Sequence, residues 1–323
     1  MTLDHFSGPI SRYLYQCFGF FSAAEGFFFL SGFVGMLAVK SKTERGEGTG
    51  WMRKRAFRIW RFHVATLFSI AILAFFFLPS LQIFFSGLYE HPVSGSLLAG
   101  ILAYTPEWLD VLPLYVFLLL LGSLVFPAII RGRLKLVWGI SFGLWICAQF
   151  SLRTQILKIY PDWIYPGFFD LSAWQFVYFS GAAISFLWKQ QKFSAVFLRR
   201  FFHVSAFFCV ICFIWSHRFF DFPHPSDFWI SKEHIGALRY LNFLAFVGVI
   251  SSIVKHKPSL LDFAFCRTLG RHSLEVFTGQ TICVYLWMAT PAKLQYHAPF
   301  HILAPILCCA ILFAVAKRLE RNR

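Results

Sequence analysis

Three stretches of this sequence, 62–79, 112–130 and 300–316, run without a single Asp, Glu, Lys or Arg. Each approaches the ~20 residues that an α-helix needs to cross the hydrocarbon core of a bilayer. Lipid offers the backbone no hydrogen-bond partners, so a segment of this kind must satisfy its own N–H and C=O groups as a helix. The remaining chain agrees, with 58% of residues hydrophobic and only 14% charged. Further apolar segments at 20–39, 136–152, 173–188, 201–215, 239–254 and 272–290 bring the expectation to nine spans. The predicted fold is all-α: a polytopic transmembrane helix bundle of nine clear spans, forming a single integral-membrane domain over 1–323.

Charge alternates between successive connections. Segment 40–61 holds eight Lys or Arg, 131–135 three, and 189–200, 255–271 and 317–323 four each, whereas 80–111 holds none. This is the positive-inside pattern, and it predicts a cytoplasmic C-terminus with 80–111 and 216–238 on the outer side. The net charge of +15 therefore needs no nucleic-acid partner, because orientation and anionic lipid headgroups account for it.

The eight cysteines do not form a ligand pattern. Cys147, Cys209, Cys212, Cys283, Cys308 and Cys309 lie within apolar spans, where cysteine behaves as a small hydrophobe. Cys209 and Cys212 form a CxxC with no second pair to complete a four-ligand site, so no metal is expected.

Within the first span, "SAAEGFFFLSGF" sets Glu25 among apolar and small residues. At 100° per residue, Ser22, Glu25, Gly26, Phe29 and Gly32 share one face, and the Ser22/Gly26 and Ser31/Gly35 spacings predict close helix packing there. Glu25 has two readings: a structural hydrogen-bonding group, or a functional carboxylate with a partner. "TLDHFSG" lies just upstream and offers Asp4 and His5. Histidine suits general acid–base work because its ordinary pKa lies near 6.5, and a neighbouring carboxylate can orient the ring.

A second constellation is "RKRAFRIWRFH", 53–63, where Lys54, Arg58 and Arg61 share a helical face at the basic end of a span. Guanidinium forks match phosphate oxygens, so a nucleotide-bearing donor such as an acyl-CoA could dock there. Helix anchoring and orientation explain the same residues. A third set is Trp174 and Gln175, Lys232 and Arg239, and His272, Ser273 and Glu275, which need not form one site. Trp108, Trp163, Tyr165 and Trp229, interspersed with acids, suit sugar stacking and an interfacial belt equally.

Taken in order, "DHFSG", "SAAEGFFFLSGF", "RAFRIWRFH", "LPLYVFLLLL", "AWQFVYFSG", "SKEHIGALRYLNFLAF" and "LGRHSLEVF" resemble the OpgC family. That family adds succinyl groups to osmoregulated periplasmic glucans and is related to the broader membrane acyltransferase group. The resemblance implies an acyltransferase-like domain in a bacterial inner membrane. It implies acyl-CoA, with succinyl-CoA foremost, as the donor substrate, no permanently bound cofactor, and a periplasmic glucan or other envelope glycan as acceptor. By the same resemblance His5, Asp4 and Glu25 are the catalytic candidates. Arg55, Arg58 and His63 match the family's basic motif and, with Arg61 of the same helix, are the donor-binding candidates; Trp174, Gln175, Lys232, Arg239, His272 and Ser273 are the substrate-side or supporting candidates, without individual roles. The rival reading is a proton-coupled transporter or flippase, with Glu25, Glu275 and the histidines carrying protons. Because the family's first helix begins upstream of its histidine, "MTLDHFSG" is expected to be the outer end of a truncated first helix. A catalytically silent membrane scaffold would follow if the chain starts at Met1.

Overall fold

The computed structural model describes residues 2–6, 11, 14–190, 194–297 and 299–322. Among these the chain is helical, with no β-strand. Its nine long helices are α1 Ala23–Glu44, α2 Gly50–Phe76, α3 Val111–Ala128, α4 Leu134–Gln149, α5 Leu171–Lys189, α6 Ala195–Ser216, α7 Ala237–His256, α8 Ser273–Met288 and α9 Phe300–Arg321. Each overlaps one of the apolar segments read as a span.

They are not equally suited to crossing a bilayer. Six segments are long and apolar enough: α1, α2, Val111–Gln149, Val196–Ser216, α7 and α9. Two expected spans, 112–130 and 136–152, are the separate helices α3 and α4, which a kink divides within the 39-residue stretch Val111–Gln149. That stretch bends at Gly132, whose φ of +86° no side chain obstructs. Helix α8 has 16 residues, a rise of about 24 Å, which alone falls short of the ~30 Å hydrocarbon core.

Helix α5 occupies the middle of the bundle. Residues 173–183 are buried on every side of it, the behaviour of a helix enclosed by neighbours. Its start is set by Asp170, whose carboxylate accepts the Ser172 backbone N–H at 2.9 Å. Helix α1 crosses it backbone to backbone: a Cβ at Gly32 would fall 1.9 Å from the Tyr178 carbonyl oxygen, and one at Gly181 2.1 Å from that of Phe29. The expected small-residue face is therefore real, but its contact centres on Gly32. Gly26 meets nothing within 4 Å, so the Ser22/Gly26 spacing is not a helix interface. Phe28, Phe126, Trp174, Phe176 and Phe243 fill the core around this crossing.

The connection 80–111, expected as an outer loop, folds back along α2. The Tyr89 hydroxyl donates to the Ala71 carbonyl at 2.8 Å, and the Trp60 indole donates to the Gly100 carbonyl at 2.7 Å. Trp60 lies ten residues into α2, about 15 Å from its first turn. The short helix Pro92–Gly100 thus sits beside the middle of a spanning helix. Leu81, Phe85 and Ala99 are buried against α2, while Val93, Leu97 and Ile101 face outward at helical spacing.

Candidate active site

The end of the bundle that carries 107–110 and 231–236 holds a cavity of about 250 Å³. Asp4, His5, Lys232, Glu107, Asp110 and Trp108 bring its ionisable and aromatic chemistry. His5 is held there by its neighbours in sequence. Phe6 is buried against Val284, Trp287 and Leu312, and the Thr2 hydroxyl donates to the Gln280 side chain at 3.0 Å. The imidazole packs edge-on against Trp108, ring centroids 5.1 Å apart.

Trp108 itself has a left-handed backbone, φ +68°, an uncommon state for a bulky residue. The Tyr285 hydroxyl, donating to the Glu107 carbonyl, pins the strained turn. The Trp108 indole N–H, buried in this wall, has no hydrogen-bond partner among the described residues.

Burial holds the His5 imidazole below its ordinary pKa, and the Lys232 charge adds to the effect. It is therefore unprotonated at neutral pH, as a base must be. Burial pushes the Asp4 and Asp110 carboxyls upward, opposed in both cases by Lys232. The Lys232 ammonium lies 4.8 Å from the Tyr15 ring centroid and about 6 Å from those of Phe168 and Phe169. Aromatic faces of this kind hold a cation without neutralising it.

Glu25 does not reach His5. Its carboxylate accepts the Ser22 backbone N–H at 3.0 Å and the Ser22 hydroxyl at 2.8 Å, closing a capping box at the start of α1. The Arg239 guanidinium donates to the other oxygen. Glu25 is absent from the cavity lining, whereas Ser22 borders it. Among the described residues no hydrogen bond joins the His5 ring to Asp4 or Glu25, and Asp4 keeps a buried oxygen without a partner. The expected histidine–carboxylate pair is thus a shared cavity of His5 and Asp4. Glu25 acts one layer behind it.

Trp174 and Gln175 also lie behind the cavity. The buried Trp174 indole donates to the carbonyls of Lys232 and Glu233, each at 3.1 Å, fixing the segment that presents Lys232. Gln175 donates to the Ser141 carbonyl at 2.9 Å and accepts its hydroxyl at 2.6 Å, tying α5 to α4. The 231–236 segment is clamped further by Arg153 on Glu233 at 2.7 Å and by His234 on Asp170 at 3.2 Å.

A larger cavity, about 800 Å³, opens toward the basic end. Lys54, Arg55 and Arg58 of α2 face Ser273 and Glu275 across it. Arg58 donates to Glu275 at 2.7 Å, and Arg55 lies over the Tyr115 ring at 5.8 Å. Arg61 and His63 do not line this space. Arg61 is exposed elsewhere on α2, and His63 is wholly buried with neither ring nitrogen partnered among the described residues. His272, 2% exposed, is also outside it.

The two cavities are stacked along α1, α3 and α8. Phe277 lines both, and Ala24 and Val111 of one lie within a turn or so of Phe27 and Tyr115 of the other. Sequence reading passed over Gln280, Thr281 and Tyr15 and used Asp110 only as an outer acid. "TGQT" within an otherwise apolar span was a readable signal for the first two.

Six segments long and apolar enough to cross a membrane, with a cleft that holds His5, Asp4 and Lys232, define a multi-pass membrane protein with a polar site. The family model for the OpgC protein matches residues 1–323, the whole chain, and the protein belongs to that family. No curated protein and no solved structure was found to match it.

Proposed function

We propose that this protein is an O-acyltransferase that moves an acyl group, succinyl by its family, from cytoplasmic acyl-CoA to hydroxyls of a periplasmic glucan or related envelope glycan. The observation that carries the reading is the stacking of two unlike cavities that share Phe277: one cationic, the other holding a neutral histidine among carboxyls and aromatic rings. Lys54, Arg55 and Arg58 would take the donor's phosphates. The acyl thioester would then reach past Phe277 toward His5. Trp108 and Tyr165 suit a sugar ring, with Glu107 and Asp110 accepting its hydroxyls.

In the chemical step the glycan hydroxyl gives its proton to a His5 ring nitrogen as its oxygen forms a bond to the thioester carbonyl carbon. Lys232 lies where its charge would favour the developing oxyanion. Collapse breaks the carbon–sulfur bond, and the thiolate of CoA leaves and takes up the proton. In this reading all nine long helices cross a bacterial inner membrane, α8 doing so together with the preceding helix Ala264–Arg271, and the C-terminus is cytoplasmic.

The test is mass spectrometry of envelope glucans from cells that carry the wild-type gene, the His5→Ala gene or none. An acyl mass increment present only with the wild type is expected. Glucans unacylated in all three strains, or acylated equally in all three, would defeat the proposal. Unchanged glucans with altered export would favour transport.

A further inference from the structure

A third cavity, about 650 Å³, lies between the basic ends of α6 and α7 and shares no lining residue with the other two. The two helices touch at Gly248, where a Cβ would fall 2.5 Å from the Phe201 ring and 2.9 Å from the Ser205 hydroxyl oxygen. Lys255 lies seven residues further along α7, about 10 Å away. The groove opens over that distance. Phe201, Phe202 and Ile253 form its apolar walls, and Arg199, Lys255 and Lys257 stand toward the basic helix ends, while no Asp or Glu borders it among the described residues.

Helix α6 is the least enclosed of the spanning segments, with 11% of its most apolar window buried. Val204, Phe207 and Val210 are all more than half exposed. Phe201 and Phe202 give the groove an apolar wall beside this exposed face and its other end is cationic, so the ligand that complements it is amphiphilic. Its cationic end lacks an acid to receive an ammonium group, so the headgroup that complements it is anionic.

We propose that the α6/α7 groove binds an anionic phospholipid, its acyl chains along Phe201, Phe202 and Ile253 and its phosphate among Arg199, Lys255 and Lys257. The lipid fills the space between α7 and its loosely enclosed neighbour. Lys255 and Lys257 are exposed at a helix end, so replacing them leaves the bundle intact, and neither belongs to the acyl-transfer cavities.

The full chain, purified in detergent and delipidated, would be titrated with phosphatidylglycerol, phosphatidylcholine and inorganic phosphate. Adducts are read by native mass spectrometry and the unfolding temperature is read alongside. Phosphatidylglycerol alone is expected to give retained adducts and a raised Tm. Lys255→Gln/Lys257→Gln should weaken it about thirty-fold, from roughly fivefold per cation near a membrane surface. Ile253→Trp, which narrows the apolar part and keeps every charge, should weaken it as well. Equal effects of the two lipids, an equal effect of inorganic phosphate, or wild-type phosphatidylglycerol binding by the Lys255→Gln/Lys257→Gln variant would each overturn the proposal.

Discussion

The Arg239 guanidinium of α7 donates to the Glu25 carboxylate of α1, and neither side chain is more than 1% exposed. The pair joins two helices at the layer directly behind the His5 cavity. The Ser22 backbone N–H and hydroxyl hold the other carboxylate oxygen, so both oxygens of Glu25 are engaged in packing at the start of α1.

Breaking this pair from one side strands a buried charge. Arg239→Met or Glu25→Leu alone should destabilise the protein by about 3–5 kcal/mol. The double variant should recover most of that loss, short of the Glu25 cap, which is worth about 1 kcal/mol. Thermal unfolding in detergent would check it; a double variant as unstable as the sum of the two singles would contradict the ion-pair account.

Removing the proposed base should cost far more activity than stability. His5→Ala is expected to lower acyl transfer by ~10²–10⁴ with membrane insertion unchanged. Burial holds the His5 pKa down and the Lys232 charge adds to it, so Lys232→Met should move the acidic limb of the kcat/KM profile modestly to higher pH. A limb that stays in place or moves to lower pH would show that His5 does not govern it.

Arg58 is engaged by Glu275 in the cavity proposed for the donor. Glu275→Gln frees the guanidinium and should lower the donor KM, while Arg58→Ala should raise it. The pair is partly exposed, so its own worth is no more than ~1 kcal/mol, which sets the Glu275→Gln effect at about fivefold or less. Kinetics with varied acyl-CoA at saturating glucan decide this.

The clamp on 231–236 is predicted to depend on pH from both sides. The Asp170 hydrogen bond raises the His234 pKa, against the effect of burial. Its contribution to stability is full below the ordinary histidine pKa of ~6.5 and fades as pH rises through the higher folded value. Burial would raise the Asp170 carboxyl, but hydrogen bonds from His234 and Ser172 outweigh it and hold the pKa down. That contribution is present above the ordinary aspartate pKa of ~3.9 and fades as pH falls through the lower folded value. Hydrogen exchange at 231–236 should accordingly be slowest in mildly acidic solution, and His234→Phe should remove the alkaline loss.

Orientation is open to direct measurement. In a cysteine-free background, a cysteine placed at 219–229 should react with an impermeant reagent in intact cells, and one placed at 318 only after permeabilisation. The reverse pattern would invert the assigned topology.

Much of this architecture was readable from local composition. Uncharged runs must become helices in lipid, and each of the nine expected spans contains one. An ionisable residue in such a run must face protein, as Glu25 does. Its partner was not readable, because Arg239 lies 214 residues away and periodicity reports which face is polar, never what stands opposite. The same applies to Trp174 and Gln175, which the sequence marked as polar groups in a span and the packing committed to Lys232 and Ser141. The course of the 80–111 segment was unreadable for a related reason: the absence of basic residues does not say what a connection packs against. Only the contacts of Trp60 and Tyr89 lay it along α2. Sequence determined which residues had to be helical and which had to avoid lipid. The tertiary structure decided that His5 shares a cavity with Asp4 and Lys232 and that Glu25 stands behind it, because side-chain partners follow from the directions in which packed helices cross.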